Sequence, residues 1–197
     1  MGGQVGVLVT AREHRAHRRH CRQLLQQVPL PEQFCLEDFC EQVSEHRKRP
    51  LYLLPAPPEM LEEDEACGGW LATSTEDIVF VRLNASPLHR EHIVLHELGH
   101  MLCDHEPNQT PRARLLEHYF PNAGSQVVAF MLTRTMFDTP REVEAEIYAS
   151  MVGARIRERS DTVPTFQAFL PSGPTQPPSP ALQALSQMFG LPQPGTS

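Results

Sequence analysis

Residues 96–100 read HELGH, and the run around them, HIVLHELGHML, leaves a chain of this size few choices. Ile93, Val94, Leu95, Leu98, Met101 and Leu102 surround the two histidines, so a helix here is apolar around most of its circumference and belongs inside a core. Ser86 followed by Pro87 supplies an N-cap and a first helical residue, which starts this helix some ten residues before the motif. On an α-helix, positions i and i+4 stand about 40° apart around the axis and about 6 Å apart along it, so His96 and His100 project from one face. A buried pair of imidazoles needs a partner, and one shared Zn2+ suits that spacing. Two surface histidines spaced by chance would not carry this apolar surround. Glu97, about 100° further round, falls beside such an ion rather than on it, where a general base for bound water belongs.

A zinc site built for hydrolysis takes three protein ligands and keeps one position open. The metzincin spacing requires a glycine at position 103 and a histidine at 106; the chain has Cys103 and Glu106, with His105 one residue short. A second helix opening at Thr139 is the better source. Its TPRE start gives an N-cap threonine, Pro140 at the first helical position and Glu142 three residues after the cap, which assigns Glu142 to capping. At 100° per residue, Val143, Ile147, Tyr148, Met151 and Val152 define an apolar arc with Glu144 near its middle and Glu146 on the opposite side. A carboxylate in the centre of an apolar face is costly unless it is paired or bound to a metal, so Glu144 is the expected third ligand. Its competing role is a salt bridge to an arginine inside the core.

With His96, Glu97, His100 and Glu144 in these positions, the chain resembles the ImmA/IrrE family of zinc metallopeptidases, which combine HExxH with a downstream glutamate followed by small and aromatic residues. VEAEIYASMV is similar to that family's second-helix motif, with Glu146 where asparagine is usual and Tyr148 where phenylalanine is usual. The lead-in GGWLATSTEDIVFVRLNASPLHREHIVLHELGH resembles the family's hairpin running into the active helix. The likeness spans roughly residues 35–155. One departure is the 43 residues between His100 and Glu144, where PRARLLEHYF and SQVVAFMLTRTMF read as extra helices. The resemblance implies an α+β, zincin-like domain with a small antiparallel sheet, and a cytoplasmic endopeptidase whose substrate is a regulatory protein such as a helix-turn-helix repressor. A non-catalytic zinc-containing regulatory binding protein, or the toxin of a toxin–antitoxin pair, would share these ligands; Glu97 speaks against the first, since a scaffold has no use for a base.

Composition bounds the setting. At 197 residues, 40% of them hydrophobic, the chain can bury one sizeable core. The expected division is a basic helix over 1–30, the zincin-like domain over 31–170 and a proline-rich tail over 171–197. A net charge of −7 argues against general nucleic-acid binding. No stretch approaches the roughly eighteen apolar residues of a membrane span, and MGGQVGVLVT lacks the basic start and long apolar region of a signal peptide. Five cysteines without a CxxC pair read as free thiols in a reducing compartment, Cys103 among them as a small buried hydrophobe.

Along the chain, AREHRAHRRHCRQLLQQ reads as an Arg- and His-rich helix, either a contact for phosphates or an acidic partner, or a solvated face. LPEQFCLEDFCEQVSEHR is a second helix, with Phe34, Leu36, Phe39 and Val43 at near-helical spacing. PLYLLP reads as a strand, PPEMLEEDEACGG as an acidic loop, and WLATST and DIVFVRL as a hairpin whose edge would pair with an extended substrate. From Pro171 to Ser197 seven prolines stand among Ser, Thr, Gly and Gln, a composition that cannot build a core and is expected to be disordered, with ALQALSQMFGL as a short amphipathic interruption. Tyr148, His118 and Tyr119 are the candidate donors to an oxyanion.

Overall fold

The computed structural model describes residues 9–56, 68–72, 76–105 and 139–159, together with Gln183 and Gln187. The two helices expected between His100 and Glu144, His118 and Tyr119, most of the acidic loop and the body of the tail lie outside the described residues. Within them the chain is mixed α+β: four helices and a three-stranded sheet.

Helix α1 (Ala11–Gln27) is started by a capping box in which Thr10 Oγ1 accepts from the Glu13 N–H and the Glu13 carboxylate reaches back to the Thr10 N–H. Helix α2 spans Leu36–Arg47 and closes on Lys48 in the left-handed region, φ 56°. It begins later than the apolar spacing suggests, because Pro29 and Pro31 stand in the run before it and Cys35 offers no side-chain cap. Strand β1 (Leu51–Pro55) follows directly, and β2 (Gly68–Ala72) and β3 (Asp77–Val81) come next.

The sheet is not wholly antiparallel, as the resemblance implied. Its order is β1-β3-β2: β2 and β3 pair antiparallel as the expected hairpin, while β1 pairs parallel with β3, Leu51 opposite Asp77 and Pro55 opposite Val81. The reason lies in β3, whose five residues are all buried; an apolar strand of this kind takes a partner on each edge, and β1 arrives from α2 in the same direction. β2 is left as an edge strand.

Helix α3 (Pro87–Leu102) starts where Ser86 and Pro87 suggest, with Ser86 Oγ accepting from the His89 N–H. It packs on β2 and β3 with one side and on helix α4 (Thr139–Arg159) with the other, which is why apolar residues surround it. Helix α1 lies on α4 and contributes Cys21, Leu24 and Leu25 to the same apolar cluster as Leu95, Leu98, Tyr148 and Val152. The basic helix is therefore built into the core by one face.

A buried ionic knot ties sheet to helices. Asp77, fully buried, accepts from Arg47 Nε at 2.8 Å and from Trp70 Nε1 at 3.0 Å. Arg47 also donates to the Met101 carbonyl at 2.6 Å and lies 5.4 Å over the Trp70 ring, anchoring the last turn of α3 to the sheet.

Candidate metal centre

His96 and His100 project from one face of α3, and their Nε2 atoms are 3.0 Å apart. The carboxylate that meets them belongs to Glu142: one oxygen is 3.4 Å from His96 Nε2 and the other 3.5 Å from His100 Nε2. A tetrahedral ion with bonds of 2.0–2.2 Å separates its ligand atoms by about 3.4 Å. Each contact is thus near that spacing, and with one atom taken from each residue, all within 4.8 Å of one another, the three side chains form one of two groups among the described residues able to hold a metal, the other being His20, Cys103 and Glu144.

The helix contact explains how a carboxylate reaches the pair. Gly99, the fourth residue of HELGH, lies against Ala145 of α4: a Cβ at position 99 would stand 3.0 Å from the Ala145 carbonyl oxygen and 3.1 Å from its Cα. The two backbones touch there because neither has a bulky side chain in the way. One turn before Ala145, the first turn of α4 then overhangs the imidazoles. Acidic and imidazole ladders face each other along this contact, with Glu146 bonded to His92 at 3.0 Å and 3.6 Å from His96 Nδ1.

Glu144 is brought to a different place. Its carboxylate is nearly buried, as the apolar arc predicts, but it accepts from three other imidazoles: His105 Nε2 at 3.0 Å, His17 Nδ1 at 3.0 Å and His20 Nδ1 at 2.9 Å. It stands two residues, about 200°, round the helix from Glu142 and so cannot face the same neighbours. Burial alone would raise its pKa; the hydrogen bonds from His105, His17 and His20 outweigh that and hold it at about 2. Glu142, assigned to capping from its TPRE context, is the side chain the fold delivers to His96 and His100. The signal that marks it is the matched spacing of four, His92, His96 and His100 on one helix against Glu142 and Glu146 on the other.

Glu97 is buried beside the pair and takes a hydrogen bond from the main-chain N–H of Trp70 in edge strand β2. Burial, followed by the charge of Glu142, pushes its pKa up to about 7 against the opposing pull of His96 and Trp70. Gly68 leaves the room: a Cβ there would clash with Ile93 Cγ2 and fall 2.9 Å from the Phe80 carbonyl oxygen and 3.5 Å from the Glu97 carboxylate.

The imidazoles are tuned in opposite directions. Burial, with the charges of His96, His105 and Arg141, lowers His100 to about 2 and keeps it neutral, the form a metal requires. For His96 burial is outweighed by the hydrogen bond and charge of Glu142 and by Glu97 and Glu146, and its pKa is raised. A groove of about 710 Å3 runs from His96 and Glu142 between α4 and α1, past Ile147 and Met151 to His14 and Arg18. Tyr148 is fully buried and its hydroxyl faces no described acceptor, so it belongs to the core and not to this groove.

Among the described residues no helix is long and apolar enough to cross a membrane. Comparison with protein-family models, curated proteins and solved structures found no match for this chain.

Proposed function

We propose that this chain is a zinc-dependent endopeptidase in which His96, His100 and Glu142 hold the ion and Glu97 is the general base. The observation that carries the reading is the pair of imidazole Nε2 atoms 3.0 Å apart, each met by one oxygen of the Glu142 carboxylate at 3.4 and 3.5 Å, with the buried Glu97 carboxylate next to them. Zinc held there would polarise a water molecule and the scissile carbonyl. Glu97, buried beside the imidazole pair, is placed to accept the proton of the attacking water and to pass it to the leaving amine. Edge strand β2, one residue of which already fixes Glu97, offers its outer side to an extended peptide. The groove between α4 and α1 accommodates side chains on one flank of the scissile bond.

The resemblance to ImmA/IrrE peptidases supports the same reading from HELGH and VEAEIYASMV, and supplies the substrate proposal, a helix-turn-helix repressor acting in the cytoplasm. That resemblance aligns Glu144 with the family's ligand glutamate, whereas the donor spacing favours Glu142. The test is metal analysis beside a cleavage assay on the candidate repressor, with wild type and Glu97→Gln. Cleavage lost while zinc is retained supports the peptidase. A regulatory effect unchanged in Glu97→Gln favours a protein that grips its partner without cutting it.

A further inference from the structure

The hydrogen bonds of His100 continue past the metal-facing nitrogen into the second histidine cluster. His100 Nδ1 is 3.0 Å from His105 Nδ1, and His105 Nε2 is 3.0 Å from Glu144 Oε2. His100 is 1%, His105 5% and Glu144 9% exposed, so solvent does not compete along this path. The other Glu144 oxygen takes His17 and His20 from α1, which pins the carboxylate from the far side.

We propose that Glu144, through His105, is a positioning residue that locks His100 in the Nδ1–H tautomer and leaves the Nε2 lone pair facing His96 and Glu142. The direction follows from donor arithmetic. A carboxylate only accepts, so His105 gives it the Nε2–H. At a pH where His105 is neutral it carries that single N–H, and its Nδ1 is therefore an acceptor. His100 must then donate from Nδ1, and its Nε2 is bare. The opposite tautomer would put a hydrogen where the metal belongs and set two lone pairs against each other 3.0 Å apart in a buried place.

The local fold delivers His105 to this position. Helix α3 ends in a Schellman turn: the His105 N–H bonds the His100 carbonyl at 3.0 Å and the Asp104 N–H the Met101 carbonyl at 3.4 Å, with Asp104 left-handed at φ 52°. The side-chain contact that commonly closes this turn is apolar. Here it is His100 against His105, ring centres 5.1 Å apart. One motif both stops the helix and supplies the relay.

The purpose of the lock rests on the metal-centre reading, but its existence does not, and the two are tested apart. In metal-free protein labelled with 15N-histidine, long-range 15N–1H spectra identify the protonated nitrogen of His100. Wild type is expected to show Nδ1–H. Glu144→Gln, whose amide also donates, and His105→Phe, which keeps the ring and removes both nitrogens, are expected to shift His100 towards Nε2–H. Both are expected to weaken zinc binding 10- to 100-fold in a chelator competition. His100 found as Nε2–H in wild type overturns the proposal, as does an unchanged tautomer in both variants; if one variant fails to fold, the other decides. A second equivalent of zinc taken up through His20, Cys103 and Glu144 would also overturn it, because a ligating Glu144 is not the acceptor argued here. The predicted tautomers in a protein that binds no zinc would uphold the lock while removing the peptidase.

Discussion

Glu142 and Glu144 stand two residues apart on α4 and serve different histidine groups: Glu142 meets His96 and His100, and Glu144 meets His105, His17 and His20. Each glutamate belongs to a group that could hold a metal, Glu142 with His96 and His100 and Glu144 with His20 and Cys103, and the hydrogen bonds of Glu144 lead through His105 to the back of His100. This arrangement orders the two glutamates by effect. On the proposed assignment Glu142→Gln removes a ligand and is expected to weaken zinc binding more than about 100-fold, above the 10- to 100-fold range for residues that act through a ligand, where Glu144→Gln belongs. Competition against a chromophoric chelator measures both. The reverse order would place Glu144 on the metal.

Glu97→Gln is expected to retain zinc and to lower the cleavage rate by about 100- to 10,000-fold, the range for removing a general base. The amide keeps the size of the carboxylate beside Gly68 and Trp70, so the loss reports proton transfer rather than collapse of the site. Cleavage at wild-type rate by the variant would exclude Glu97 as the base.

The same substitution has a consequence for stability that needs no substrate. In the unfolded chain Glu97 ionises near 4.5, whereas burial raises it to about 7 in the folded one. Between those values the unfolded state gives up its proton first, so folding stability falls as pH rises, by about 3 kcal/mol in all once pH exceeds 7. Glu97→Gln has no proton to lose. Metal-free variant is therefore expected to be the more stable protein at pH 8, with the gap closing towards pH 4. Urea unfolding in the presence of a chelator at several pH values tests this; wild-type and variant curves that stay parallel would show Glu97 ionised in the fold.

What was legible in the chain is local. Ser86 and Pro87 mark the start of α3, Thr139 and Pro140 the start of α4, and the spacing of His96 and His100 fixes their common face, because each signal acts within a turn or two of backbone. The angular position of Glu144 was legible as well, since rotation at 100° per residue finds the buried side of a helix. Which neighbour waits on that side was not. The partners of Glu144 come from α1, 124 residues away for His20, and from the turn after α3. His14, His17 and His20 at spacings of three on α1 are the visible trace of that contact, and a basic helix reads as a solvated face until its acidic partner is known. The parallel pairing of β1 was hidden for the same reason: strand partners are chosen by the fold, not by the strand.

Asp77 offers a prediction on stability remote from the metal. It is fully buried and joined to Arg47, Arg49 and Trp70, and the other carboxylate near Arg47, Asp104 at 3.8 Å, is exposed to solvent. Asp77→Asn leaves the Arg47 guanidinium facing a neutral amide and is expected to cost about 3 kcal/mol, at the lower end for breaking a buried pair because the Trp70 bond can persist. Chemical denaturation measures it. A loss within about 0.5 kcal/mol, the usual range of a surface substitution, would show that the knot is not what holds the last turn of α3 to the sheet.

Gly99 tests whether the contact between α3 and α4 sets the metal geometry. By propensity alone, Gly99→Ala is favourable by at most about 1 kcal/mol, the value for a helix interior, since Gly99 lies in the last turn of α3. The new Cβ, however, meets the Ala145 carbonyl oxygen at 3.0 Å and the Ala145 Cα at 3.1 Å, and both are backbone atoms of a packed helix that cannot rotate aside. Overpacking of this kind costs about 1–3 kcal/mol, so the net effect on stability is small or unfavourable. The effect on zinc is larger than the effect on folding, because Glu142 sits one turn before Ala145 and moves with α4. A shift of a few tenths of an ångström moves the Glu142 carboxylate away from the two imidazoles, whose Nε2 atoms its two oxygens now approach to 3.4 and 3.5 Å. Gly99→Ala is therefore expected to weaken zinc binding about tenfold while the protein stays folded by circular dichroism. Unchanged affinity would mean that the first turn of α4 is positioned by something other than the glycine contact.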